Sequence, residues 1–163
     1  MELRDGTWEV GEAGKVTFII ESGALRLMAV DPNAGWSPDV VHETSQRIEV
    51  EFRSGTEERV FEARYANGIL RIEIEAEDDE AKPGRYTVGD AGEVEVDIED
   101  GQLRLVEVAT NPGWAMTVDA ECPDEIEVEF RQGALEWEFE AELSKRGRLE
   151  IDLEMELEGP YPA

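Results

Sequence analysis

Lysine stands only at Lys15, Lys82 and Lys145, asparagine only at Asn33, Asn67 and Asn111, and cysteine and histidine occur once each, as Cys122 and His42. A lone cysteine excludes an intrachain disulfide and any CxxC metal or redox pair. Cys122, set between Glu121 and Pro123, reads as an inert residue rather than a nucleophile. A lone histidine excludes a metal site built from several imidazoles, and His42 reads as an exposed strand residue. Ser37 and Ser45 stand near it in sequence, but no nucleophile-elbow motif surrounds either, so serine-histidine catalysis has no support. No apolar run approaches the roughly 20 residues that a membrane-spanning helix needs, which argues against direct insertion into a bilayer.

Positive charge is scarce as well. Fifteen basic residues face 41 acidic ones, for a formal net charge of -26 at pH 7. Such a surface repels phosphate backbones and anionic lipid head groups, which excludes nucleic acid as a partner. It suits cations, basic proteins and water. Acid-rich, lysine-poor surfaces also suit the cytoplasm of a high-salt organism.

Against these absences stands a duplication. Residues 6–67 align with 84–145 at a constant offset of 78 without a gap, and 29 of the 62 positions are identical. The longest shared run is Ile48-Glu-Val-Glu-Phe-Arg53 against Ile126-Glu-Val-Glu-Phe-Arg131, and Gly35-Trp36 recurs as Gly113-Trp114. After one inserted residue, Leu70, Ile72 and Ile74 return as Leu149, Ile151 and Leu153. The acidic stretch 77–83, closed by Pro83, reads as a linker. The expected organisation is a first repeat over 1–76, the linker 77–83 and a second repeat over 84–163.

Within each copy the apolar residues alternate with charged ones. Val94, Val96 and Ile98 interleave with Glu95, Asp97 and Glu99, and the shared run does the same. Period two is the mark of a strand with one buried and one wet face, and no segment carries the three- and four-residue spacing of a helix. Glycines between the runs supply the turns. Seven strands are expected in the first copy, near 7–10, 15–21, 24–30, 37–43, 46–53, 58–65 and 69–76. The expected fold is all-β: two tandem small antiparallel β-sandwiches of immunoglobulin-like type, with compact barrels as the alternative.

Few residues suggest chemistry. Trp36 and Trp114, each after a glycine, are read with Phe52 and Phe130 as core anchors rather than as ligand-stacking platforms. Paired carboxylates occur throughout, so finding two together says nothing about glycoside hydrolysis. Calcium is the one ligand that acidic turns suggest, and Glu77, Asp78, Asp79 and Glu80 are the best-placed set, although no EF-hand loop occurs. Where the second copy has Asp97 and Asp119, the first has Ile19 and Val41, with Met28 nearby. Ile19, Met28 and Val41 are therefore the expected interaction patch, since apolar residues on an acidic surface mark a contact.

The combination of an alternating Val/Glu strand, Leu25-Arg-Leu27, Gly35-Trp36 and the run Ile48 to Arg53 resembles the acidic β-domains of uncharacterised cell-surface and secreted proteins of GC-rich actinobacteria. That resemblance implies an extracellular or surface module without known catalytic residues. The functional expectation is a non-enzymatic structural or protein-interaction module, with protein partners or self-association. Its alternatives are a calcium-responsive surface module and an acidic decoy for basic proteins.

Overall fold

The structure, a computed structural model, describes residues 2–162. Among these no helix forms, and the chain runs through fourteen strands. They are β1 (Gly6–Val10), β2 (Gly14–Glu21), β3 (Ala24–Pro32), β4 (Ser37–Glu43), β5 (Arg47–Ser54), β6 (Glu57–Ala66) and β7 (Ile69–Ala81). The second half repeats them as β8 (Gly84–Val88), β9 (Gly92–Glu99), β10 (Gln102–Thr110), β11 (Ala115–Glu121), β12 (Glu125–Gln132), β13 (Leu135–Leu143) and β14 (Leu149–Pro160). Three tight turns, Ser22-Gly23, Asn67-Gly68 and Asp100-Gly101, place both residues at positive φ. That is the turn whose twist matches a hairpin, which is why glycine closes each one.

The chain divides into two compact units, residues 1–76 with 156–163, and residues 77–155. Unit 1 packs a β1-β2-β3 sheet against β4, β5, β6 and the first part of β7. Its core joins Trp8, Phe18 and Phe61, with ring centroids 6.4 Å and 6.0 Å from Phe61. Unit 2 packs β8-β9-β10 against β12, β13 and the first part of β14 around Val94, Val96, Ile126, Phe130, Phe139 and Ile151. All sheets are antiparallel and none closes into a barrel.

The immunoglobulin-like arrangement is not confirmed, and the acidic stretch 77–83 takes a more regular form than a linker needs. Within every sheet, consecutive strands are neighbours, whereas an immunoglobulin sandwich interleaves its strands in Greek-key order. The connections of two to five residues hold each strand beside its predecessor or turn it directly onto the facing layer, leaving no length for a long return connection. The segment 77–83 is also not a free linker: 77–81 continue β7. Its acidic residues alternate along an extended backbone as those before them do, so high charge is no obstacle to a strand.

The copies match in devices that periodicity does not reveal. The indole N–H of Trp8 donates to the Arg4 carbonyl at 3.0 Å, and the hydroxyl of Tyr86, its equivalent, donates to the Lys82 carbonyl. Asn33 and Asn111 each cap a turn by donating at 2.9 Å to the carbonyls of Glu12 and Asp90. Bulges fall at Met28 and Val106, and again at Val41 and Asp119. Tyr161 belongs to unit 1, where its amide donates to the Gly68 carbonyl at 2.8 Å and its hydroxyl meets Asp5 Oδ1 at 3.1 Å. The phenol of Tyr65 donates to the Tyr161 carbonyl at 3.1 Å.

Gly14 and Gly92 begin equivalent strands, and a Cβ on either would overlap a carbonyl oxygen of the facing strand, that of Asp31 or Ala109. Gly92→Ala is therefore expected to destabilise unit 2 by about 2 kcal/mol or more, since backbone must move. Gly101→Ala, in an open turn at positive φ, is expected to cost only about 1 kcal/mol. Denaturant melts of the two variants test the difference.

Candidate functional site

The alternation that builds each core also dictates what lies on the opposite face. On β5, β6 and β7 the residues between the buried ones point outward: Arg47, Glu49, Glu51, Arg53, then Glu58, Val60, Glu62, Arg64, then Arg71, Glu73, Glu75. The equivalent eleven positions of unit 2 are Glu125, Glu127, Glu129, Arg131, then Glu136, Glu138, Glu140, Glu142, then Glu150, Asp152, Glu154. Six carboxylates and four arginines in unit 1 thus face ten carboxylates and one arginine in unit 2, net charges of -2 and -9. Three of the changes are outright reversals: Arg47 to Glu125, Arg64 to Glu142 and Arg71 to Glu150.

In unit 1 the arginines are spent on their neighbours. Arg47 reaches Glu49 at 2.5 Å and Glu62 at 2.8 Å, and Arg64 meets Glu62 at 2.6 Å. Arg53 spans Glu51 and Glu58 at 3.3 and 3.5 Å, and Arg71 reaches Glu156 at 3.3 Å. Burial works against the Glu62 carboxylate, but the hydrogen bonds and charges of Arg64 and Arg47 outweigh it and hold the group below its ordinary range.

The equivalent face of unit 2 carries one arginine where unit 1 has four. Arg131 alone ties Glu129 to Glu136, the latter at 3.5 Å. Hydrogen bonding to Glu142, burial and the charges of Glu142, Asp152 and Glu127 push the Glu140 carboxyl up to about 7. Glu138 is raised by burial and by Glu127, Glu136, Glu129 and Asp119. Two adjoining depressions open here, one lined by Asp124, Glu125, Glu142 and Glu150, the other by Glu77, Glu140, Glu142, Glu150 and Asp152. Carboxylates line both depressions, so a cation or a cationic surface placed there gains attraction from several of them together.

The residues singled out in the sequence lie elsewhere, with one exception. Glu77 lines the second depression, but Asp78 and Glu80 alternate with Glu77 and Asp79 along β7, so the four share no face. Glu80 pairs instead with Arg148 at 3.5 Å, and its amide donates to Asp78 Oδ1 at 3.0 Å. Ile19 is half-buried on the outer side of β2 opposite Arg26. Met28 and Val41 are bulge residues on edge strands of two different sheets, 53% and 40% exposed. Phe52 and Phe130 are fully buried, whereas Trp36 and Trp114 are half-buried at the rim. The Arg59 guanidinium sits 5.3 Å from the ring centre of Trp36, and the fully enclosed indole is that of Trp8. His42 is exposed opposite Glu49, and Cys122 is exposed. The outer face of unit 2 was discernible in advance from the aligned copies, because each reversal is an arginine facing a glutamate at fixed offset.

Compared with family models, curated proteins and solved structures, the chain matches none.

The raised carboxyls give unit 2 a pH dependence of definite sign. A group whose folded pKa stands above its ordinary 4.5 contributes stability that is complete below that value and is lost as pH rises through about 7. Glu62 in unit 1 runs the opposite way, contributing above 4.5 and losing its contribution as pH falls through its lowered value. Amide exchange, corrected for intrinsic rates, is expected to show β12 and β13 gaining protection from about pH 8 to about pH 5 while β5 and β6 do not. Glu140→Gln is expected to stabilise unit 2 by about 0.5 kcal/mol at the upper pH and to flatten its dependence.

Proposed function

We propose that the chain is a non-enzymatic protein-interaction module whose two units have diverged in surface charge, unit 2 presenting its carboxylate face to a basic protein partner. The observation that carries this reading is the trio of reversals, Arg47 to Glu125, Arg64 to Glu142 and Arg71 to Glu150, on a scaffold otherwise kept the same. Carboxylates crowded on one face raise each other's cost of ionisation and work against the fold. A partner that supplies positive charge relieves that cost on binding, and the gain falls with salt. The extracellular or surface setting implied by the resemblance to actinobacterial β-domains belongs to the same proposal, as does the structural, spacer-like use of two beads in series. A high-salt cytoplasm would serve the surface equally, by screening.

A calcium-responsive module is the second reading, for which Glu129, Glu136 and Glu138, with carboxylate oxygens within 4.8 Å of one another, offer a ligand set. It differs in its consequence, for calcium would then stabilise unit 2 beyond magnesium at matched ionic strength, whereas a protein-binding face responds to both alike.

The test uses a folded basic protein, cytochrome c, as probe. The wild-type chain is expected to bind it at low salt, with an association constant that falls steeply as salt rises. The triple variant Glu125→Arg/Glu142→Arg/Glu150→Arg, which restores the charges of unit 1, is expected to lose at least about tenfold in affinity. Binding unchanged by the triple variant would refute the assignment of the face.

A further inference from the structure

We infer that β11 is the docking edge of this module, taking up an extended basic segment of a partner protein as an added strand. The inference rests on the interaction reading above and adds to it a place and a mode of binding.

β11 ends the strand order of its sheet, as β4 does in unit 1. An edge strand offers half of its backbone N–H and C=O groups to any chain that lies beside it. The two edges are in equivalent register, with Pro38 opposite Phe52 and Met116 opposite Phe130. A proline fits an edge strand when its nitrogen faces away from the ladder, because it has no N–H to give. The nitrogen of Pro38 therefore faces the open side of β4, and the N–H of Met116 faces the open side of β11. Val118, two residues on and opposite Val128, presents its backbone to the same side before the bulge at Asp119. Unit 1 is closed to strand addition at the position where unit 2 is open.

The side chains agree with this. Met116 and Val118 stand on the core side of the sheet, across from the fully buried Phe130 and Val128, yet each remains 38% exposed. They form an apolar ledge that an added strand would cover. Its outward residues would lie beside Thr117, which faces Glu129, and near the exposed Asp119 and Glu121. A segment alternating β-branched and basic residues meets both demands, placing the first on the ledge and the second against carboxylates. A second copy of this chain is disfavoured at this edge, since it would bring two surfaces of the same strong negative charge together.

The experiment titrates the full chain with a short labelled peptide of alternating lysine and valine, followed by fluorescence anisotropy, with cytochrome c binding measured in parallel. Wild type is expected to bind the peptide, and Met116→Pro to lose at least about tenfold in affinity with its melt unchanged, as unit 1 already accommodates Pro38. A peptide of the same charge with alternate backbone amides methylated is expected to bind as weakly as the proline variant binds the parent, and this comparison stands even if Met116→Pro fails to fold. Equal binding of the parent and methylated peptides would overturn the inference, as would absence of peptide binding. If cytochrome c still binds in either case, only the edge assignment falls; if it does not, the interaction reading falls with it. A wild-type chain that dimerises through β11, with dimerisation abolished by Met116→Pro, would also overturn the basic-segment assignment.

Discussion

The strands that line the two cores must each bury one face and wet the other, and that single constraint governs the rest of the molecule. It fixes Ile48, Val50 and Phe52, and again Ile126, Val128 and Phe130, against the facing layer with no exposed surface. The intervening residues are left free of packing demands. What varies between the copies is concentrated there, because an outward arginine and an outward glutamate fit the same backbone equally well. Divergence of charge without divergence of fold is the physical outcome.

The compensation in unit 1 shows what the constraint permits. Its outer arginines sit within ion-pair distance of glutamates on their own and adjoining strands, so an acidic face stays close to neutral. Exposed pairs of this kind add little to stability individually, about 0 to 1 kcal/mol. Their larger effect is to prevent repulsion from accumulating. Where Glu125, Glu142 and Glu150 replace them, like charges gather on one face, and Glu142, with burial, Asp152 and Glu127, pushes the Glu140 carboxyl up to about 7. The face of unit 2 is thereby the more acidic of the two equivalent faces, with a net charge of -9 against -2.

Strand positions were legible because alternation and turn glycines are local signals: the first-copy strands expected near 24–30 and 37–43 form as Ala24–Pro32 and Ser37–Glu43. Topology was less so, since the same strands could be wound as a Greek key, and only the short connections decide for sequential hairpins. The extension of β7 through Ala81 escaped notice because Glu77 to Glu80 carry no apolar alternation. Trp36 was read as a core anchor from its size alone, while Trp8, fully enclosed, had a tyrosine for its counterpart and so drew no attention as a conserved aromatic pair. The bulges at Met28 and Val41 lie in otherwise regular strands, and what looked like one apolar patch is divided between two sheets. The charge reversals, by contrast, needed only the alignment of the copies and knowledge of which positions face outward.

The most direct test of the central claim is a residue-resolved NMR titration of the full chain with unlabelled cytochrome c at low salt. The account predicts that shifts concentrate on β11 to β14 of unit 2, along the outward positions from Glu125 to Glu154 and the neighbouring edge, and fade as salt is added. Shifts spread evenly over the outer faces of both units, or confined to unit 1, would contradict it.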